Sequence, residues 1–322
     1  MRDIFIIHEN EEWLVPLRAE FSKRGVTAKE WFVHEGAISY DQKPADAVYY
    51  NRMSASSHTR GHRFAPELTR MALTWLERHE QTVVNGTDAL YLEVCKLSQY
   101  AALEQAGLTT PRTRPVVGRD DIVPAAREFD QWPLILKPNR GGKGLGVIRF
   151  DDEAGLAAYV NGPDYEAPLD GIWLLQAYIA PAQPHITRAE FVNQKFVYAV
   201  QVNTEGGFEL CPADVCDIGD SFCPTTDTEA ESETQSTTET PAKFTVTYKY
   251  DQHAIITNLE GFLRQANIQV AGIEFIETAA GELFVYDVNT NTNYNQKAEQ
   301  TAGLERTGMG SLADYLIELA SK

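Results

Sequence analysis

Two largely apolar stretches near the C-terminus predict a β-hairpin. They are 270–276 and 283–291, and both are rich in the β-branched and aromatic residues typical of strands. Ala280 and Gly281 lie between them and can form a two-residue turn. With that turn, the pairing of the strands follows directly from the residue numbers.

In this register Glu274 lies directly opposite Asp287, and a slip of two residues keeps both carboxylates on one face. Because side chains alternate between the two faces of a strand, Asn289 and Asn291 share the face of Asp287. Two carboxylates and an amide oxygen from adjacent strands suit a hard cation such as Mg2+, with phosphate oxygens completing its shell. The alternative is a hairpin with a polar outer face and no ligand.

A second hairpin is predicted over 132–150, where an apolar strand ends at Lys137 and another strand starts at Val147. Four glycines lie between these strands: Gly141, Gly142, Gly144 and Gly146. The segment is not a P-loop, because no Gly-Lys-Ser/Thr opens a helix, and the following strand excludes a dinucleotide fingerprint. Glycine N–H groups together with Lys143 and Arg140 favour a loop over a triphosphate. A flexible basic turn is the alternative.

The first 85 residues alternate short strands with helices. The predicted strands are 4–7, 28–33, 47–50 and 82–84, and the predicted helices are 11–24 and 65–78. This order is typical of a small parallel sheet, whose ligands bind beyond the carboxyl ends of its strands. The loop 51–63 leaves such an end and is suited to holding a carboxylate; an exposed polar loop is the alternative. Its candidate substrate residues are Arg52, Ser57, His58 and Arg60.

Farther along the chain, the pattern predicts a helix over 89–105 and a final amphipathic helix over 311–320. Residues 220–242 are rich in Ser, Thr and Glu and contain almost no apolar side chains. Such a composition predicts a disordered surface loop.

Charge and composition limit the possible partners. The 322 residues carry a net charge of −18, so nucleic acid is not an expected partner, because its phosphates are bound by basic surfaces. No apolar stretch approaches the length of a membrane span, and the first apolar run is too short for a signal peptide. A cytoplasmic location away from membranes is therefore expected. A homo-oligomer is left open.

Four cysteines are too few for a disulfide framework. They are Cys95, Cys211, Cys216 and Cys223. The spacing of the last three matches no familiar zinc pattern, and reduced thiols are expected.

Taken in order, these motifs resemble the ATP-grasp superfamily and, within it, the RimK-like carboxylate–amine ligases. The resemblance covers about 85–300 and includes the segments 94–98, 106–111, 174–179 and 186–197 in addition to the two hairpins. It implies an α/β fold with an N-terminal pre-ATP-grasp parallel domain (1–90), a linker helix and small ATP lobe (91–175) and a catalytic lobe of α+β character (176–322). Two departures are Asp287, where Glu is commoner, and Ile186, where the family usually has Asp.

The resemblance also implies residue roles. ATP would be bound by Lys96, Lys137, Lys143, Gly142, Gly144, Gln176, Tyr178 and Ile179. Glu274, Asp287 and Asn289 would hold Mg2+ or Mn2+, Arg188 would face the γ-phosphate, and Asn291 would face the substrate. The implied reaction activates a carboxylate as an acyl phosphate, which an amine then attacks. Amino acids or small peptides are the implied substrates; an ATP-grasp kinase and a non-catalytic ATP-binding module are the alternatives.

Overall fold

The computed structural model describes residues 1–142, 144–204 and 242–322. Lys143, the cysteines Cys211, Cys216 and Cys223, and all but the last residue of the predicted loop 220–242 lie outside the described residues. The predictions made for them stay predictions.

The N-terminal segment forms the predicted four-stranded parallel sheet, in the order β2-β1-β3-β4. Its strands are β1 (Asp3–His8), β2 (Lys29–Phe32), β3 (Ala47–Asn51) and β4 (Thr82–Val84), and its helices are α1 (Val15–Lys23) and α2 (Ala65–Arg78). Every residue of β3 is buried, as expected for an inner strand covered on both faces. The loop 51–63 leaves the carboxyl end of this strand.

The helix predicted over 89–105 is in fact two helices, α3 (Thr87–Glu93) and α4 (Lys96–Gln105). The break has a tertiary cause. The backbone N–H groups of Lys96 and Leu97 donate to the carbonyl and side-chain oxygens of Asn139, at 3.2 and 3.0 Å. Because these donors are satisfied from another part of the chain, a new helix begins at Lys96.

A second sheet of four strands has the order β5-β8-β6-β7. Its strands are β5 (Thr113–Val117), β6 (Leu134–Pro138), β7 (Ile148–Phe150) and β8 (Ile172–Ala177), with helices α5 (Ile122–Phe129) and α6 (Glu153–Asn161). Strands β6 and β7 pair antiparallel, so the glycine-rich segment connects them as predicted. The boundary predicted after residue 175 falls inside β8, and the division into domains stays a prediction.

The third sheet is antiparallel, in the order β11-β10-β9-β12-β13. Its strands are β9 (His185–Val192), β10 (Lys195–Asn203), β11 (Phe244–Thr247), β12 (Val270–Glu277) and β13 (Leu283–Asn289), followed by α8 (Gln296–Thr301) and α9 (Gly308–Ser321), while α7 (Ala254–Gln265) precedes β12. Helix α9 packs against both the first and the third sheet through Leu312 and Leu316, so one apolar core joins them. None of the described helices is both long and apolar enough to cross a membrane.

The β12–β13 hairpin has the predicted pairing of Glu274 with Asp287, but its turn is longer than predicted and one strand contains a bulge. Thr278 and Glu282 close a three-residue turn instead of the expected two-residue turn, and Gly281 adopts the left-handed conformation there, with φ +81. This longer turn shifts the pairing by one residue. A β-bulge at Tyr286 shifts it back, so that Glu274 pairs with Asp287.

Candidate active site

Two cavities meet at the β12–β13 hairpin. The first, called the apolar cavity, has a volume of about 220 Å³ and a wall that includes Ile135, Val147, Ile186 and Ile276. The second, called the polar cavity, is smaller, at about 70 Å³. Its wall includes Ser54, Ser56, Glu93, Gln99, Arg188, Asn289, Asn291 and Asn293. Glu274, Asp287 and Lys96 line both cavities, whereas a larger groove of 540 Å³ beside α1 and α9 contains none of the predicted site residues.

The three predicted metal ligands lie together at this junction. The Oε1 atom of Glu274 accepts from Arg188 Nη1 at 2.9 Å. Asp287 forms an ion pair with Lys96, and Asn289 Nδ2 lies 3.3 Å from Asp287 Oδ2. The structure therefore brings together side chains from both hairpin strands and from the start of α4.

The pKa values of the two carboxylates, Glu274 and Asp287, are shifted in opposite directions. Burial raises the pKa of Glu274 above its ordinary value. Burial acts in the same direction on Asp287, but the charge of Lys96 outweighs it and the pKa of Asp287 is lowered. The same pairing raises the pKa of Lys96 against the opposing effect of burial. Lys96 thus supplies the positive charge that Asp287 needs when no cation is bound.

Tyr286 is a site residue that sequence reasoning missed. Its hydroxyl donates to Glu274 Oε2 at 2.9 Å, and burial holds its pKa well above the ordinary range, so the donor stays protonated. In a regular strand Tyr286 would face away from Asp287, its direct neighbour. The bulge removes this alternation and lets both side chains reach the same site.

The guanidinium of Arg188 is held by hydrogen bonds to three side chains. Its guanidinium donates to Glu190 Oε1 at 2.7 Å, to Glu274 Oε1 at 2.9 Å and to Thr292 Oγ1 at 2.6 Å. It lies across Gly272, where an added Cβ atom would come within 2.4 Å of Nη2. Glu190, Thr292 and Gly272 were not predicted; the signal available was a glycine inside a strand, which marks a close approach.

The donor set fits a hard cation better than a soft one. No cluster of three His, Cys, Asp or Glu residues that could hold a metal exists within 1–142, 144–204 and 242–322. Glu274 and Asp287 supply two carboxylates, and Asn289 can add an amide oxygen. All three are oxygen ligands, the type that Mg2+ prefers, and the remaining positions suit phosphate oxygens and water.

The residues predicted to bind nucleotide line mainly the apolar cavity. Lys137, Gly144, Gln176, Tyr178 and Ile179 are in its wall, whereas Gly142 is in the wall of the polar cavity. Lys137 is buried and donates to Tyr100 Oη at 2.6 Å. The side chain of Gln176 donates to Thr113 Oγ1 at 2.8 Å.

Two groups expected to serve the nucleotide already have partners within the chain. The backbone N–H of Tyr178 donates to the Pro133 carbonyl at 3.2 Å, so this group is not available to a ligand. Arg140, expected to add charge to the glycine-rich loop, instead pairs with Glu67 of α2 at 2.6 Å. This ion pair joins the glycine-rich loop to helix α2 of the N-terminal segment.

The candidate substrate residues divide into two groups. Asn291 lines the polar cavity, while Arg52, Ser57, His58 and Arg60 do not. Their loop contributes Ser54, Ala55 and Ser56 to the wall instead. The role predicted for the four side chains stays a prediction without support from their positions.

The side chains of Arg60, Ser57 and His58, which do not line the polar cavity, have partners or are at least partly buried elsewhere. Arg60 pairs with the buried Glu9 and lies 4.6 Å from the ring of Trp13, which lines the polar cavity. Ser57 is fully buried. Burial lowers the pKa of His58, so its ring is neutral at physiological pH.

Comparison with solved structures identifies the fold. The ATP-grasp ligase PsnB complexed with its minimal precursor aligns with a TM-score of 0.64 and 15% identity, over 98% of this chain and 99% of that one. A RimK domain ATP-grasp protein from Sphaerobacter thermophilus aligns with a TM-score of 0.61 and 17% identity, over 97% and 99%. D-cycloserine synthetase DcsG aligns with a TM-score of 0.63 and 14% identity, over 99% of both chains.

No family model and no curated protein matches the sequence. The structural similarity nevertheless extends over nearly the whole length of each chain. The protein therefore has the ATP-grasp fold, as its motifs predicted.

Proposed function

We propose that this protein is an ATP- and Mg2+-dependent ligase that joins a carboxylate to an amine through an acyl phosphate. The observation that carries the proposal is the shared wall of the two cavities, where Glu274, Asp287 and Lys96 face both. A phosphoryl group that leaves a nucleotide in the apolar cavity would pass these residues on its way to an acid in the polar cavity.

Structures with the same fold support the choice of cofactors. PsnB was solved with Mg and ADP and with a precursor peptide and AMPPNP. Other proteins of this fold are described as a D-cycloserine synthetase and a D-Ala:D-Ser ligase. All are ligases or synthetases, which favours ligation over phosphorylation of a hydroxyl.

Each residue has a task in this reaction that follows from its charge and position. Glu274, Asp287 and Asn289 would hold Mg2+, which neutralises phosphate charge when bound. Lys96 and Lys137 would bind the phosphates from the two sides of the junction. Arg188 would stabilise charge on the phosphoryl group from the wall of the polar cavity, where Glu190 holds its guanidinium and Gly272 leaves room for it. No protein nucleophile is needed, because positioning and charge neutralisation supply most of the acceleration.

Phosphate release tests the proposal. The purified protein is incubated with Mg·ATP and a panel of the twenty L-amino acids, each with and without hydroxylamine as the amine. We expect inorganic phosphate and hydroxamate to form together when ATP, an acid and hydroxylamine are all present, and neither to form without ATP or without an acid.

The alternatives predict other results. Phosphate retained on the acceptor would identify a kinase. Nucleotide binding with no turnover under any combination of acid and amine would identify a binding module. The Asp287→Asn variant is the matched negative control, because it keeps the shape of the site and removes one metal-binding charge.

A further inference from the structure

Arg52 joins the N-terminal sheet to the chain that follows the metal-binding strand. It is only 2% exposed. Its guanidinium donates to Asn291 Oδ1 at 3.0 Å, to Asn293 Oδ1 at 2.7 Å, and to the carbonyl oxygens of Trp13 and Thr292, both at 3.0 Å. Three of these four residues line the polar cavity: Trp13, Asn291 and Asn293. Arg52 does not line the cavity itself, but its hydrogen bonds hold three of the residues that do.

The contact with Arg52 determines which way the Asn291 amide points. A guanidinium can only donate hydrogen bonds, so the oxygen of the amide must face Arg52. The nitrogen must then face the opposite way. Turning the amide over would place its NH2 against the guanidinium and remove the bond. The same argument applies to Asn293.

The nitrogen of Asn291 is a buried donor that has no acceptor among the described residues. The two charged donors in the wall of the polar cavity have partners within the chain: Lys96 pairs with Asp287, and Arg188 donates to Glu190, Glu274 and Thr292. Both NH2 protons of Gln99 are likewise directed to carbonyl oxygens of the chain. A buried donor without a partner is costly, and each such group in a native protein calls for an explanation, such as a bound water, an ion or a catalytic role.

We propose that the Asn291 NH2 group binds a carboxylate oxygen of the acid substrate and that Arg52 is the positioning residue that keeps this donor directed into the polar cavity. This inference rests on the proposed function, because it assigns one end of the acid to a particular atom. The site thus selects a group with an acceptor oxygen at this point, and an ammonium or amide N–H placed there would meet another donor.

Asn291→Asp tests the inference without disturbing Arg52. The new carboxylate still accepts from the guanidinium, so the wall stays in place, but it offers no donor and adds a negative charge. The probes are the twenty L-amino acids with hydroxylamine and Mg·ATP, measured as hydroxamate. We expect the KM for the reacting acid to rise by about tenfold to a hundredfold, the loss typical of a hydrogen bond to a charged group. The KM for ATP should stay within twofold.

Two further variants complete the design. Asn258→Asp makes the same charge change on the exposed side of α7 and should leave both KM values unchanged. Arg52→Lys keeps the buried charge but loses the planar fork, so the KM for the acid should rise by about threefold to tenfold. The stabilisation by Mg·ADP should persist. A purely structural role for Arg52 would instead lower the melting temperature without this selective change in KM.

The outcomes separate the two proposals. An Asn291→Asp enzyme whose KM for the acid lies within twofold of the wild type overturns the inference and leaves the ligase assignment intact, whether or not Arg52→Lys folds. A wild-type protein that forms no hydroxamate and releases no phosphate with any acid overturns both.

Discussion

Asp287 has two tasks that depend on the same negative charge. It is a proposed metal ligand, and in the free protein it is the partner of Lys96. Lys96 is deeply enclosed, with 13% of its side chain exposed. Removing the charge of Asp287 therefore affects both the bound and the free protein.

We predict that Asp287→Asn lowers the rate of ligation by about a hundredfold to a thousandfold, because one electrostatic contact to the transferring phosphoryl group is lost. The free protein should also become less stable, by about 1–3 kcal/mol, because the enclosed ammonium of Lys96 loses its ion-pair partner. Steady-state phosphate release and denaturant unfolding measure the two effects.

The stability change reverses what the sequence suggests. From the sequence, two neighbouring carboxylates would repel each other in the empty site, and removing one would stabilise the protein slightly. In the structure, the attraction between Lys96 and Asp287 outweighs this repulsion. Asp41→Asn, at an exposed turn, is the control and should change neither quantity. Full activity of Asp287→Asn at saturating Mg2+ would exclude this residue from the metal site.

At the scale of the element, the start of α4 decides where Lys96 lies. Asn139, just after β6, accepts from the backbone N–H of both Lys96 and Leu97. It also donates to Asp170 at 2.7 Å. The end of one strand thus caps the helix that carries a proposed phosphate-binding lysine.

We predict that Asn139→Ala lowers stability by about 1 kcal/mol, as for a lost N-cap. It should also lower kcat/KM for ATP by about tenfold, because a small displacement of Lys96 is costly to catalysis. Asp152→Ala is the matched control: Asp152 caps α6 through Gly155 at 2.8 Å and lies outside both cavity walls. It should cost the same stability and leave kcat/KM unchanged. An equal loss of kcat/KM in both variants would show that the contact with Asn139 does not position Lys96 for catalysis.

At the scale of the whole molecule, all three parts of the chain enclose the polar cavity. Ser56 comes from the loop after β3, Gly142 from the glycine-rich loop, and Asn289 from the hairpin. The Arg140–Glu67 ion pair and the Arg52 contacts join these parts directly. A ligand at this junction contacts several parts and should stabilise them together.

We predict that Mg·ATP raises the free energy of unfolding by about 2.7 kcal/mol at a hundredfold excess over its dissociation constant. Thermal unfolding across a concentration series measures it. ATP with a chelator should stabilise the wild type less than Mg·ATP does, and this difference should disappear in Asp287→Asn. A melting temperature that does not change up to millimolar Mg·ATP would refute the nucleotide assignment.

Local patterns determined most of the elements. The parallel strands β1 to β4, the hairpin around the glycine-rich loop and the final helix all follow from short-range hydrophobic periodicity and turn residues. The pairing of Glu274 with Asp287 was also predicted, but from a two-residue turn that does not exist. The longer turn and the bulge at Tyr286 happen to cancel in the register.

Only the tertiary structure decided which polar groups share the site. Tyr286 reaches Glu274 through a bulge that strand periodicity cannot reveal, and Thr292 accepts from Arg188 across 104 positions of the chain. Arg52 is a residue type suited to binding a substrate carboxylate. Its guanidinium instead donates to Asn291 and Thr292, which lie 239 and 240 positions away in the chain. Periodicity specifies the face on which a side chain lies, because it reflects backbone geometry repeated over a few residues. The partner that satisfies a buried charge depends on how distant segments pack, and no local pattern contains that information.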